Sequence, residues 1–203
     1  MYSTLLLPWS ADPPEREQAY RGAGLVRTKG TLFLLPPPDS VLRETFNAPP
    51  RPKTRMSSGA VALCKHFERG GASSEHGRAH PFWTMPRGSN ENKTEIARQI
   101  LEQMLAEAVW KNVMLLHHGV AVYEIRNARG FGMRWTLDIK EKKGFHNGVD
   151  HAGGEGVLAT AKCGAQDHED QDDFEKDWEV TRTTFRGFLE PIAGMDHDLD
   201  GHG

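Results

Sequence analysis

The clearest alternation of apolar and polar positions runs from Gly88 to Ile139. Ile96, Ala97, Ile100, Leu101, Met104, Leu105 and Ala108 recur at helical spacing, and Arg98, Gln99, Glu102 and Gln103 take the opposite half of the wheel. Asn92 is a good N-cap, with Glu95 at the spacing of a capping box. Asn112 tolerates the left-handed conformation that closes a helix. The pattern predicts one long amphipathic helix whose apolar face must be covered. Val113–Leu116 is a short apolar run. Val120 to Arg126 is apolar on both sides in its first half, which suits a strand inside a sheet. Gly132 to Ile139 alternates, with Met133, Trp135, Leu137 and Ile139 against Arg134, Thr136 and Asp138, as a half-buried antiparallel strand does. Asn127 to Gly130 carries turn residues at hairpin length.

Weaker patterns flank this stretch. Residues 1–23 are polar and proline-bearing and read as an irregular arm. Leu25–Arg27 and Thr31–Leu35 flank Lys29-Gly30 and predict a hairpin. Pro36–Pro38 and the prolines around Arg51 read as strand end and stiff linker. Ala60, Leu63, Cys64 and Phe67, entered from Ser57 or Ser58, predict a second amphipathic helix that stops at Gly70-Gly71. The loop from Ala72 to Gly88 carries Phe82 and Trp83, two rings that should pin it. Thr181 to Glu190 regains strand character and pairs with 132–139. Residues 140–180 between them read as a long acidic insertion, and 193–203 as a disordered tail. The expected architecture is α+β: a mainly antiparallel sheet of four to six strands with two helices on one face. The domain spans 24–139 plus 181–192. The predicted core is Leu63, Phe67, Ile96, Ile100, Leu101, Met104, Leu105, Val122, Tyr123, Ile125, Met133, Trp135, Leu137, Phe185 and Leu189.

Composition adds a charge segregation. Residues 43–143 hold 17 basic and 10 acidic groups, and residues 144–203 hold 4 basic and 14 acidic. A basic body beside an acidic segment suits an anionic partner. Hydrophobic content is low, at 37%, so part of the chain should lie outside the core. Two cysteines make no disulfide framework and point to a reducing compartment, cytoplasmic or nuclear. No stretch approaches the length of a membrane span, and Pro8 interrupts the one apolar run near the N-terminus, so neither a secretory signal nor a membrane role is expected.

Candidate chemistry is sparse. Cys64, His66, His76 and His80 have the look of a zinc set, but on a helix His66 stands about 200° from Cys64, so the set does not converge and Cys64 reads as a core thiol. Asp196, Asp198 and Asp200 begin a calcium loop that lacks its closing glutamate. No metal site is expected and no motif specifies a cofactor. His117 and His118 read as turn residues. Arg87, Ser89, Asn90 and Lys93 gather at the start of the long helix, where Lys93 would occupy the first helical position and free N–H groups favour an anion. Arg69, Phe82, Trp83 and Arg134 are the expected partner-binding residues, for nucleic acid or an acidic protein. On this reading the chain is a non-catalytic binding module. The alternative is a small hydrolase-like enzyme with its pocket under the 70–92 loop, using His76, His80 or a carboxylate. Limited proteolysis should cut first within 144–178, because the acidic block there buries too little apolar surface to order itself. First cuts inside 93–139 would contradict the domain boundaries.

Overall fold

In the computed structural model, residues 13–69, 82–141 and 178–191 are described. Helices α1 (Pro13–Gly22), α2 (Asp39–Asn47), α3 (Ser58–Arg69) and α4 (Asn90–Glu107) precede an antiparallel meander. Its strands are β1 (Ala108–Leu115), β2 (Ala121–Asn127), β3 (Gly132–Glu141) and β4 (Trp178–Leu189), in the spatial order β1-β2-β3-β4. The α+β expectation holds, with four helices where two were read. Among the described residues no helix is long and apolar enough to cross a membrane.

Register sets the two faces of the sheet. Ile125 stands opposite Met133 and Tyr123 opposite Trp135, while Glu124 stands opposite Arg134 on the other side. The first set meets the helices: Trp135 packs on Phe185, and Phe185 packs edge-on against Phe46 of α2 at 4.6 Å between centroids. Leu63, Leu101, Met104, Ile125, Met133 and Trp135 are fully buried there. Helix α3 comes so close to α2 that a methyl group added at Gly59 would lie 2.1 Å from the Phe46 ring. Ile96 and Leu105 only pack against the core from its margin, and Leu189 is half-buried, so the predicted core was too wide at these three positions. Cys64 is likewise half-buried, not a core thiol.

Several boundaries differ from the sequence reading. The N-cap of α4 is Ser89, whose hydroxyl accepts from the Asn92 N–H. Glu95 turns outward to Arg98 in place of closing a capping box. The helix ends at Glu107 and passes straight into β1, so Asn112 lies in mid-strand. Asn112 is fully buried, which a helix-closing residue would not be. Within the segment read as an irregular arm, α1 delivers Tyr20 to the core. The Tyr20 hydroxyl donates to Asn112 Oδ1 at 2.8 Å and accepts from the Val113 N–H at 2.9 Å. Thr28 and Thr31 close a turn around Lys29-Gly30, but the segments on either side of it bond to β1. Val26 and Leu32 donate to the carbonyls of Lys111 and Val113, and Gly30 accepts from the Leu115 N–H. This segment thereby occupies the outer edge of β1, where unpaired strand groups would otherwise face water.

The β3–β4 pair runs further than the alternation suggested, to Glu141 and Trp178, and it carries two bulges. Arg134 is opposite Gly187 and Trp135 opposite Phe185, so Arg186 is an extra residue on β4. The bulge is why Phe185 and Phe188, three apart, both reach the same aromatic cluster. Residues 142–177 and 192–203, and with them most of the expected acidic insertion and tail, lie outside the described residues.

Burial pushes the Tyr20 phenol up to about 12, against a weaker pull the other way from the Val113 N–H. A raised folded pKa stabilises the protein below the unfolded value near 10, and that stability is lost as pH rises toward about 12. Tyr20→Phe should therefore flatten part of the alkaline fall in stability. Urea midpoints followed from neutral pH upward check it, and an unchanged alkaline slope would contradict the assignment.

Candidate functional site

Glu124, Arg126 and Arg134 make a buried ionic group on β2 and β3. Glu124 accepts from Arg126 Nε at 2.6 Å through one oxygen and from Arg134 Nε at 2.8 Å through the other. Glu124 and Arg126 are 2% and 4% exposed. Arg126 has further donors, and these reach the carbonyls of Gly130 at 2.5 Å and Glu190 at 3.1 Å. The group thus fixes both the β2–β3 turn and the end of β4. Arg134 was expected to meet a partner, but its guanidinium is turned onto Glu124.

The end of β4 lies against α3. His66 Nε2 and Glu190 Oε1 are 2.5 Å apart, and Trp83 Nε1 donates to the same carboxylate oxygen at 3.0 Å. A carboxylate oxygen accepts, so the proton shared in this bond is carried by His66 Nε2. The His66 ring is packed by Trp83 and Phe188, with centroids 6.1 and 6.0 Å away. A cleft of about 790 Å³ opens beside the pair, between α3 and β4. Val61, Ala62, Lys65 and His66 line it from the helix, and Phe185, Arg186, Phe188 and Glu190 from the strand. Lys65 and Arg186 are exposed on its two sides. Helical spacing puts Val61, Ala62 and Lys65 on one face. The β4 bulge places Arg186 at the opposite wall.

Trp83, expected at a partner surface, is 2% exposed and supports Glu190 from inside. Phe82 is half-buried and stacks on Phe131 at 4.8 Å with the rings 9° apart. The Arg69 side chain lies outside the described residues, as do His76 and His80. His117 and His118 are exposed in the β1–β2 turn.

The other expected site, at the start of α4, has different geometry. Lys93 is the fourth helical residue, and its N–H already donates to the Ser89 carbonyl. The Ser89 hydroxyl serves as the cap, and Arg87 Nε points to Met85 Sδ at 3.3 Å. Asn90 is the first helical residue. Glu91 stands in the first turn, its carboxyl held below the usual range by its own backbone N–H and by Ser89. A negative side chain therefore already answers the helix dipole there.

Taken together, the meander, the helix laid on its last strand and the cleft between them define an α+β protein. Residues 47–147, just under half of the chain, match a family described as the CdiA C-terminal tRNase toxin domain. No curated protein and no solved structure matches. The family description is that of an enzyme, and it overturns the expectation of a non-catalytic binding module. The matched span contains Lys65 and His66 but ends before β4, so it covers only one wall of the cleft.

Ser89→Ala should cost about 1 kcal/mol, the ordinary value of an N-cap hydroxyl. Urea denaturation measures it, and a loss near zero would show that the cap is redundant.

Proposed function

We propose that the chain is an RNA-cleaving enzyme of the tRNase type, with its reaction centre in the cleft between α3 and β4. The His66–Glu190 pair, set in a cleft with a cation on each wall, carries the reading. The family match supplies the substrate class, since the domain it describes is a tRNase. A tRNA substrate places the action in a cytoplasm.

The chemistry follows from the donor set. His66 takes the proton of a ribose 2′-hydroxyl, and Glu190 steadies the imidazolium that forms. The 2′-oxygen attacks the adjacent phosphorus and the bond to the 5′-oxygen breaks. The products are a 2′,3′-cyclic phosphate and a 5′-hydroxyl, whose proton comes from solvent. Lys65 and Arg186 offset the charge that builds on the phosphate oxygens. Trp83 holds Glu190 in place without touching the substrate.

His66→Ala should lower the rate of tRNA cleavage by about 10²–10⁴-fold, the usual share of a general base. Glu190→Gln should lower it by less. Replacing both Lys65 and Arg186 with alanine should raise KM and flatten the loss with salt. Gel assays of the full chain on tRNA, with analysis of the new ends, check these outcomes. Unchanged cleavage by a folded His66→Ala protein would remove the site. No cleavage of tRNA by the wild type would remove the function.

In the same assay Trp83→Phe keeps a ring in the core but loses the donor to Glu190. Its activity should fall while its melting temperature stays near that of the wild type. Full activity would show that the indole N–H has no positioning role.

A further inference from the structure

The loop between α2 and α3 stands at the other end of the cleft from the reacting pair. Pro50 in this loop and Ser58, the first residue of α3, line the cleft together with Lys65 and His66. Helix and strand run in the same direction along it: Gly59 lies against the Phe46 ring, which touches Phe185, and His66 meets Glu190. His66 follows Ser58 by about 12 Å along the helix axis, at 1.5 Å per residue. The base of the loop is tied. The Ser58 N–H and hydroxyl both donate to the Ala48 carbonyl at 2.8 Å, and the Ser57 N–H donates to Thr94 Oγ1 of α4 at 3.3 Å. Its tip is a turn closed by the Thr54 N–H on the Arg51 carbonyl at 3.1 Å, with Pro52 and Lys53 in the central positions. Lys53 has φ +72°. A positive φ after proline marks a type II turn, where glycine or asparagine is usual. A lysine stands there instead, in a conformation that a side chain disfavours. Arg51 and Lys53 are exposed, and among the described residues neither side chain has a hydrogen-bond or ion-pair partner. Arg55, by contrast, lies close enough to Glu91 to feel its charge.

We infer that the Arg51–Thr54 turn is a phosphate subsite for the RNA strand, in which Arg51 and Lys53 hold a phosphate beyond the one that is cut. The inference rests on the RNA-cleaving reading and adds to it that the strand is gripped at two separated points. Lys65 and Arg186 meet the charge within the cleft, and the turn meets it past the end that Pro50 and Ser58 line. Each nucleotide brings one charge, so a second grip in line with α3 lays the strand along the cleft toward His66. Pro52 and the tied base keep the turn in shape before RNA arrives, which lowers the ordering cost of binding. Contacts of this kind position the backbone and carry no base sequence.

The test is affinity, over a series of salt concentrations, for a fluorescent single-stranded RNA that is 2′-O-methylated throughout and so cannot be cut by this chemistry. Lys53→Gly is the decisive variant. Glycine suits the positive φ, so the melting temperature should hold or rise while one phosphate contact is lost. Affinity should fall by about fivefold in ~0.1 M salt, and the slope of log affinity against log salt should shrink by about 0.7, the value of one contact on a single strand. Arg51→Ala should do the same. Lys29→Ala is the control, because Lys29 is an exposed turn lysine beside β1, at the opposite edge of the sheet from β4. It should change affinity by about twofold at most. Wild-type affinity and slope in Lys53→Gly and Arg51→Ala, with tRNA still cut, would overturn the subsite and leave the function standing. An equal loss in Lys29→Ala would reduce the effect to general charge attraction and overturn it as well. Tighter binding of polyglutamate than of RNA of equal charge, lost in the same variants, would make the turn a surface for an acidic protein and no RNA subsite. Failure of the wild type both to bind this RNA and to cut tRNA would overturn the function itself.

Discussion

Glu124 is the constraint on which the site depends. Its carboxylate is buried in the sheet, which is tolerable only because two guanidiniums share it. Arg126, held in that way, spends its remaining donors on two carbonyls that belong to different parts of the chain. One belongs to the turn that carries Arg129 and Phe131. The other belongs to Glu190. A single buried ion group thus ties the β2–β3 turn to the end of β4. The cost of desolvating three charges is met inside the rigid part of the protein, and the exposed groups inherit its precision.

The cleft has a second origin, in how closely helices approach the last strand. Gly59 lets α3 rest on the Phe46 ring, and Phe46 in turn rests on Phe185 and Phe188. The bulge at Arg186 keeps both phenylalanines in that contact and sends the intervening arginine elsewhere. Remove the extra residue and the strand returns to strict alternation, which would turn Phe188 away from the helices. Packing and electrostatics are therefore served by one irregularity.

The sheet was legible because β2 and β3 have periodicities that nothing else in the chain imitates. The ends of α4 were not, because Asn92 and Asn112 are acceptable caps locally and only tertiary hydrogen bonds decide otherwise: Asn112 is claimed by Tyr20, 92 positions away. The proposed hairpin failed for a related reason, since its strands found a better edge in β1. Of the expected partner-binding residues, Trp83 donates to a carboxylate that lines the cleft, Phe82 packs on Trp83, and Arg134 is paired with Glu124 on the other face of the sheet. Locally His66 reads only as part of a zinc set or a dyad with Cys64, and neither converges on a helix. Its true neighbour, Glu190, is 124 positions away, a pairing that no local spacing encodes. Charge counting pointed to an anionic partner but could not say which cations would meet it. Arg43, Arg98, Arg126 and Arg134 are each committed to a carboxylate of the same segment, so they are cations in the count that face an internal partner. A surplus of cations is not a patch until their partners are known.

The position of β4 in the chain has a consequence for timing. It is the last of the described elements, yet it supplies Arg186, Glu190 and the carbonyl that Arg126 grips. During synthesis the helices and the first three strands leave the ribosome well before it does. Until the final strand docks, one wall of the cleft is missing and His66 has no carboxylate.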